Sequence, residues 1–207
     1  MENSINLHLE KALEKYTENH YREVLINAKN DFFKITGNIN EEDDDYDLRM
    51  NSFNDWYLTQ FCLPNEKRSP LMDYIFSVDL EESLGSVLAN YQHSIFQYVG
   101  EKRGGEFVFK DLREKKRVKV KNKNVVPMLV KGDIFLGRFF ELENEIYFMS
   151  GVCIIPREVK MVVLNEIKKV SSNCSRRDLN NFLLKLEYLK TKSKRYSHLA
   201  LEKIFSF

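Results

Sequence analysis

The stretch "KGDIFLGRFFELENEIYFMSGVCIIP", residues 131–156, decides the fold of this chain. It contains two apolar runs, "IFLGRFFEL" and "IYFMSGVCII", and a polar turn precedes each of them. Short runs bounded by turns predict β-strands, and apolar residues on both faces predict a curved sheet that is covered on both sides. Gly137 and Gly151 lie inside the runs, where glycine permits a bulge or a sharp bend.

Three more strands are predicted upstream of this stretch. The segment "SIFQYVGEKRGGEFVFKDL" (94–112) has two aromatic runs around a Gly-Gly turn, which is a hairpin signal. The segment "KRVKVKN" (116–122) alternates strictly, with Val118 and Val120 on one face and basic residues on the other. Five short strands joined by tight turns within about 60 residues predict a small, partly closed barrel.

Helical patterns occupy both ends of the chain. An amphipathic stripe runs from Leu7 to Ile35 and stops at Gly37, and a second helix is predicted over about 48–62. Further helix starts are predicted at Ser69–Pro70, at Asp79 with Glu82 as a capping box, at Pro156, and at Ser175 with Asp178. The predicted fold class is α+β, with a helical N-terminal region (1–92), a small five-stranded barrel-like antiparallel β module (93–155) and C-terminal helices packed on the rest (156–207).

The composition is that of a folded protein. The chain of 207 residues is 43% hydrophobic and has 15 Phe and 10 Tyr, so it is too apolar to be disordered. The sequence has no run of about 18 apolar residues, so no membrane span is predicted. The N-terminus lacks a signal-peptide pattern, and we therefore expect a cytoplasmic protein. The cysteines are Cys62, Cys153 and Cys174, an odd number without CxxC spacing, which argues against disulfides and zinc. No cofactor is expected.

No reaction signature is present. An EF-hand loop starting at Asp43 would need glycine at its sixth position and glutamate at its twelfth, where this chain has Leu48 and Asn54. The acidic run Glu41–Asp47 is therefore interpreted as a solvated linker. The four histidines are scattered and no phosphate-binding loop or nucleophile motif occurs, so no catalytic or metal-binding residue is assigned.

The charge is unevenly distributed although the net charge is only +1. Residues 1–60 carry 13 acids against 6 bases, whereas residues 101–131 carry 11 bases against 4 acids and residues 168–203 carry 10 bases against 3 acids. The best candidate binding surface is a basic strip of alternating residues: Lys115, Lys116, Arg117, Lys119, Lys121 and Lys123. It could follow nucleic-acid phosphates, form a solvated face, or dock an acidic protein, and no aromatic residue lies inside it for base stacking.

Several segments occur in an order that resembles poorly characterised bacterial proteins related to the SEC-C-motif group. They are "FNDWYLTQF", "SPLMDYI", "YQHSIFQYV", "FVFKDL", "LVKGDIFLGRFF" and "IYFMSGVCIIP", which together cover about residues 50–160. The Cys-rich zinc motif that names the group is absent from the C-terminal "LALEKIFSF", so neither its zinc nor any partner that depends on it is transferred. The resemblance implies helices with a compact β module, and a structural role for the matching residues Asp55, Trp56, Asp111, Gly132, Asp133 and Arg138.

Arg138 poses a specific problem of charge burial. It shares a predicted strand face with apolar residues, and an unpaired buried charge costs several kcal/mol. Asp55 lies on a helix whose neighbouring face is core-directed, with Trp56 as an anchor. We therefore expect Asp55 or Asp111 to pair with Arg138 and to join the helical region to the β module.

Three functions are compatible with these patterns. The leading hypothesis is a non-enzymatic cytoplasmic interaction module that binds another protein. The alternative is RNA or DNA binding through the basic face of the β module, extended by the basic C-terminal helix. The third is an unrecognised hydrolase assembled from dispersed carboxylates. The oligomeric state has no sequence signal.

Overall fold

A computed structural model describes residues 2–103, 105–120, 126–142, 145–170 and 174–207. Within these ranges the chain combines helices with a five-stranded sheet, as predicted. The helices before the sheet are α1 (Glu2–Thr17), α2 (Arg22–Thr36), α3 (Tyr46–Thr59), α4 (Pro70–Ser77) and α5 (Glu82–Ala89). Those after it are α6 (Lys160–Lys169), α7 (Arg176–Arg195) and α8 (Leu201–Ile204). None of the helices in the described ranges is long and apolar enough to cross a membrane.

The strands form one continuous sheet. Their bounds are β1 (Gln92–Lys102), β2 (Glu106–Asp111), β3 (Arg117–Val120), β4 (Ile134–Leu142) and β5 (Glu145–Ile155). The pairs form a closed ring in the order β1-β2-β3-β5-β4, and β4 returns to β1 through the register Ile95↔Leu136. Each strand thus has two hydrogen-bonded neighbours.

The expectation of a wholly antiparallel sheet is wrong at one pair. β3 and β5 run parallel, in the register Lys119↔Glu145 and Val120↔Ile146. A closed ring of five strands cannot alternate in direction at every pair, so one pair must be parallel, and here it is the pair of β3 with β5. As a consequence, the lysines of β3 do not lie on an exposed edge strand.

The structure confirms two of the predicted helix starts and differs from two other helix predictions. Ser69 Oγ accepts a hydrogen bond from the Met72 N–H at 3.3 Å, and Ser175 Oγ accepts one from the Asp178 N–H at 3.1 Å. The capping box predicted at Asp79 is wrong, because α5 has Glu81 in the N-cap position. The long N-terminal stripe is interrupted at Glu18, whose extended backbone separates α1 from a short 3-10 turn (Asn19–Tyr21) that leads into α2.

Both faces of the sheet are buried. Inside the ring the phenylalanine rings of four strands contact one another, with centroids 4.9–5.7 Å apart, at Phe96, Phe109, Phe135 and Phe148. On the outside, Ile95 and Leu136 pack in a second cluster with α6 and α7. A third cluster joins the N-terminal helices to the sheet through Phe140, Tyr147 and Met149. The predicted coverage on both sides is confirmed.

The two glycines of the deciding stretch serve different purposes. The β4–β5 register shifts between Gly137 and Phe139, so that Arg138 lies at a bulge. Gly151 allows close approach instead of bending, since a Cβ at this position would lie 2.5 Å from Ser52 Cα and 2.6 Å from Ser52 N. Helix α3 therefore packs directly on the backbone of β5.

Candidate functional site

Arg138 is buried as predicted, but its partners are different from those expected. Its side chain is almost fully buried, and Nη2 donates to Gln60 Oε1 at 3.0 Å while Nη1 donates to Ser52 Oγ at 3.4 Å. Across the described ranges, no ion pair joins Arg138 directly to Asp55 or Asp111. The predicted direct pair is therefore replaced by two neutral acceptors, Ser52 on α3 and Gln60 directly after it.

Two buried carboxyls complete this cluster without touching the guanidinium. Asp55 Oδ2 accepts a hydrogen bond from the Gly151 N–H at 2.7 Å, and the Ser52 hydroxyl donates to Glu187 at 3.1 Å. Burial raises the pKa of Asp55 to about 7 against the opposing charge of Arg138. Burial likewise raises the pKa of Glu187, and Arg138 again opposes the shift. The buried polar cluster, defined as Ser52, Asp55, Gln60, Arg138 and Glu187, joins α3 and α7 to the sheet.

The residues Asp111, Gly132 and Asp133, also marked by the resemblance, organise turns. Asp111 Oδ1 accepts from the N–H groups of Arg113 and Glu114 at 2.8 and 2.9 Å, which closes the turn after β2. Asp133 accepts from the Val130 N–H and pairs with Arg157, while Gly132 adopts φ +95° in the same turn. His93 lies beside the cluster, where burial and Arg138 hold its pKa well below the ordinary value.

The basic strip is less positive in the structure than in the sequence. β3 alternates as predicted, with Val118 and Val120 buried and Arg117 exposed. Lys116 Nζ pairs with Glu141 at 3.1 Å, and Lys119 Nζ pairs with Glu106 at 2.7 Å. Lys115 is exposed at φ +58° in the preceding turn. Lys121 and Lys123 lie outside the described residues, so the strip is tested here only as far as Lys119.

The acidic run Glu41–Asp47, which we call the acidic connector, is partly docked on α7 and is not simply a solvated linker. Asp45 is only 7% exposed and forms ion pairs with Lys190 and Lys194 of α7, the latter at 3.0 Å. Lys194 also pairs with the exposed Asp44. Burial raises the pKa of Asp45, but the two lysines outweigh it and the net shift is downward. Part of the acidic charge of residues 1–60 and part of the basic charge of residues 168–203 thus neutralise each other within one chain.

A groove of about 640 Å³ lies between the end of α3 and the start of α7. We call it the cationic groove because four of its lining side chains are basic and no Asp or Glu is among the lining residues. The lining residues are Trp56, Thr59, Gln60, Phe61, Cys62, Lys67, Arg68, Ser69, Met72, Ala89, Tyr91, Arg176, Arg177, Asn180, Asn181 and Leu184. This volume falls within the range of natural ligand-binding clefts.

The loop between α3 and α4 presents two of the four cations. The Leu63 N–H donates to the Arg68 carbonyl at 2.9 Å and the Lys67 N–H donates to the Leu63 carbonyl at 3.1 Å, so the loop is closed on itself. Leu63 is buried and anchors it to the core. Arg68 Nε pairs with Asp73 at 2.8 Å, which fixes its direction. The loop is thus an ordered part of the groove wall.

The first turn of α7 presents the other two cations. The Ser175 cap places Arg176 and Arg177 directly after the helix start. The Arg176 guanidinium lies 4.1 Å from the centroid of the Tyr91 ring and donates to the Tyr91 carbonyl. Among the residues that can be described, Lys67 and Arg177 form no ion pair, so their charges face the groove uncompensated.

The aromatic residues of the groove are engaged within the protein. Trp56 is only 8% exposed and its ring packs against Phe32 and Phe61 at centroid distances of 5.3 and 5.6 Å. One face of Tyr91 is covered by Arg176. Trp56 is therefore a core anchor, as predicted, and it also forms part of the groove lining, which was not predicted.

Sequence reasoning missed the groove because its cations come from two segments more than a hundred positions apart. Each segment had a local signal, since the basic pairs "KR" and "RR" flank the helix caps Ser69 and Ser175. Nothing in a single sequence shows that the two caps face one another. A charge count along the chain instead selected the longer run in β3.

Comparison with known proteins gives no match: no family model, no curated protein and no solved structure is similar to this chain. The resemblance to SEC-C-related proteins therefore stays a prediction.

Proposed function

We propose that this protein is a non-enzymatic cytoplasmic interaction module that binds another protein in the cationic groove, with the barrel-like sheet as its rigid support. The observation that carries the proposal is a concave surface of about 640 Å³ with four basic side chains and no acidic one in its lining. Clefts of this volume that hold polar groups at fixed positions are common recognition sites.

The buried polar cluster supports a structural role for the titratable residues. Asp55 and Glu187, whose carboxyl pKa values are raised, are buried and do not line the groove. A hydrolase would need its carboxylates within reach of a substrate. The cluster instead connects α3 and α7, which are the two elements that form opposite sides of the groove.

Nucleic-acid binding through the basic strip has less support. Lys116 and Lys119 are engaged by Glu141 and Glu106, and each such pair reduces the positive potential that phosphates would experience. The strip also lacks an aromatic residue for base stacking. The groove is thus the stronger candidate surface.

The test is selection of peptides from a random phage-displayed library on the wild-type protein. Each selected peptide is then measured against the double variant Lys67→Glu/Arg177→Glu, and we expect its binding to be lost. The matched control is Lys110→Glu/Arg117→Glu, which makes the same charge change at two exposed residues that face each other on β2 and β3. Peptides that bind both variants equally well, or that lose binding only to the control, would overturn the proposal.

A further inference from the structure

We infer that the occupant of the cationic groove is an acidic segment of a partner protein, bound through its side-chain carboxylates. This inference rests on the proposed function and specifies the chemistry of the partner. Its basis is charge complementarity, because the lining contains four cations, of which Arg68 is ion-paired with Asp73, and no carboxylate.

The positions of the cations favour a segment over a single small anion. Lys67 and Arg68 lie on the loop before α4, whereas Arg176 and Arg177 lie on the first turn of α7, so the charges come from both sides of the groove. An extended acidic segment can contact both sides at once. Arginine also binds carboxylates in a bidentate manner, which adds geometric selectivity.

Hydrogen-bonding groups also line the groove. Asn180 and Asn181 contribute amide groups, whereas the Thr59 hydroxyl donates to the Asp55 carbonyl, Gln60 accepts from Arg138 and Ser69 caps α4. The exposed amide of Asn181 can bind the backbone of a peptide as well as its carboxylates. A peptide segment would therefore use the polar lining as well as the charges.

The aromatic residues argue against a nucleic-acid strand as the occupant. Single-stranded nucleic acids gain affinity from bases that stack on exposed rings, at about 1–3 kcal/mol per base. Here Trp56 is buried against Phe32 and Phe61, and Tyr91 is covered by Arg176. A carboxylate-bearing segment needs no free ring face.

Apolar surface at the groove suits a peptide with both acidic and apolar residues. Met72 is a partly exposed apolar residue of the lining. Its side chain provides a contact for an apolar side chain of the partner.

The test uses fluorescence anisotropy with two labelled probes, a glutamate hexapeptide and a thymidine oligonucleotide of equal charge. We expect the peptide to bind the wild type and to lose about tenfold in affinity for Lys67→Glu/Arg177→Glu, since exposed charge pairs contribute up to about 1 kcal/mol each. Its affinity for the control, Lys110→Glu/Arg117→Glu, should lie within about twofold of that for the wild type. The oligonucleotide should bind more weakly than the peptide. Thermal unfolding followed by circular dichroism shows that each variant is folded.

The outcomes separate this inference from the proposed function. Equal affinity of the hexapeptide for all three proteins, or tighter groove-dependent binding of the oligonucleotide, would overturn the acidic occupant. If phage-selected peptides bind through the groove but are neutral or basic, the protein-binding function stands and the acidic occupant is refuted. If no selected peptide depends on the groove, the proposed function itself fails.

Discussion

Gly151 is the residue at which the helical region and the sheet come closest. Its missing Cβ leaves room for the backbone of α3, and its N–H donates to Asp55. The sequence suggested a bulge or bend for this glycine, because position within a strand is visible in a sequence and the approach of a distant helix is not.

Gly151→Ala should lower the free energy of unfolding by at least about 2 kcal/mol, because overpacking against rigid backbone costs about 1–3 kcal/mol or more. The added methyl would meet Ser52 and the Asn51 carbonyl at 2.5–2.7 Å. Urea denaturation measures the effect. The control is Gly85→Ala in α5, whose Cβ would have no contact closer than 3.9 Å and which should gain about 0.5–1 kcal/mol. Equal effects of the two substitutions would contradict this packing.

Asp55 should make stability depend on pH. Its carboxyl has a pKa of about 7 in the folded protein against an ordinary value of 3.8, so between these values the folded state holds a proton that the unfolded state has lost. The stability that this proton contributes is complete below about pH 4 and is lost as the pH rises to about 7. The carboxyl is nevertheless near Arg138 and Glu187, whose charges act on it in opposite directions.

Asp55→Asn removes this titration while it keeps an acceptor for the Gly151 N–H. The free energy of unfolding of the variant minus that of the wild type should therefore increase between pH 4 and pH 8, with a ceiling of about 4 kcal/mol at about 1.4 kcal/mol per pH unit. Urea denaturation at the two pH values measures it. A difference that is the same at both values would show that Asp55 is not held neutral in the folded protein.

At the scale of elements, helix α7 contacts the sheet and the acidic connector and also lines the groove. Its buried residues face the outside of the sheet, its C-terminal lysines bind the acidic connector, and its first turn forms one side of the groove. Its start at Ser175 was predicted from the cap and is confirmed. The contacts of its lysines with Asp44 and Asp45 were not predicted, since they join positions about 150 residues apart.

Ser175→Ala should reduce stability by about 1 kcal/mol through loss of the N-cap. Because the cap orders the turn that carries Arg176 and Arg177, the variant should also bind the glutamate hexapeptide more weakly. Ser197→Ala is the control, since Ser197 is exposed beyond the end of α7 and its substitution should change stability by less than about 0.5 kcal/mol. Indistinguishable unfolding curves for the two variants would contradict the role of the cap.

The strands of the sheet were predicted from the sequence, but one contact between them was not. Alternation and apolar runs identified five strands and their turns, because these are properties of consecutive residues. The parallel contact between β3 and β5 was missed, since it depends on which strands meet when the ring closes. The partners of Arg138 were missed for the same reason, because Ser52 and Gln60 are set by the packing of α3 on β5.

At the scale of the whole molecule, part of the uneven charge of the sequence is neutralised by ion pairs within the chain, and part is collected in the groove. Asp44 and Asp45 are neutralised by α7 within the same chain, and the strip on β3 is partly neutralised by Glu106 and Glu141. In the groove, basic side chains converge without an acidic residue among the described residues of the lining. This concentration of charge is the physical basis for assigning the partner site there.

The most direct test uses the single tryptophan of the chain, Trp56, which lines the groove. Its one indole N–H signal in a ¹⁵N-edited NMR spectrum reports on the part of α3 that lines the groove. Titration with the glutamate hexapeptide should shift this signal saturably in the wild type and in Lys110→Glu/Arg117→Glu, but not in Lys67→Glu/Arg177→Glu. Binding of the peptide to the wild type, seen by anisotropy, with an unchanged Trp56 signal would contradict the account.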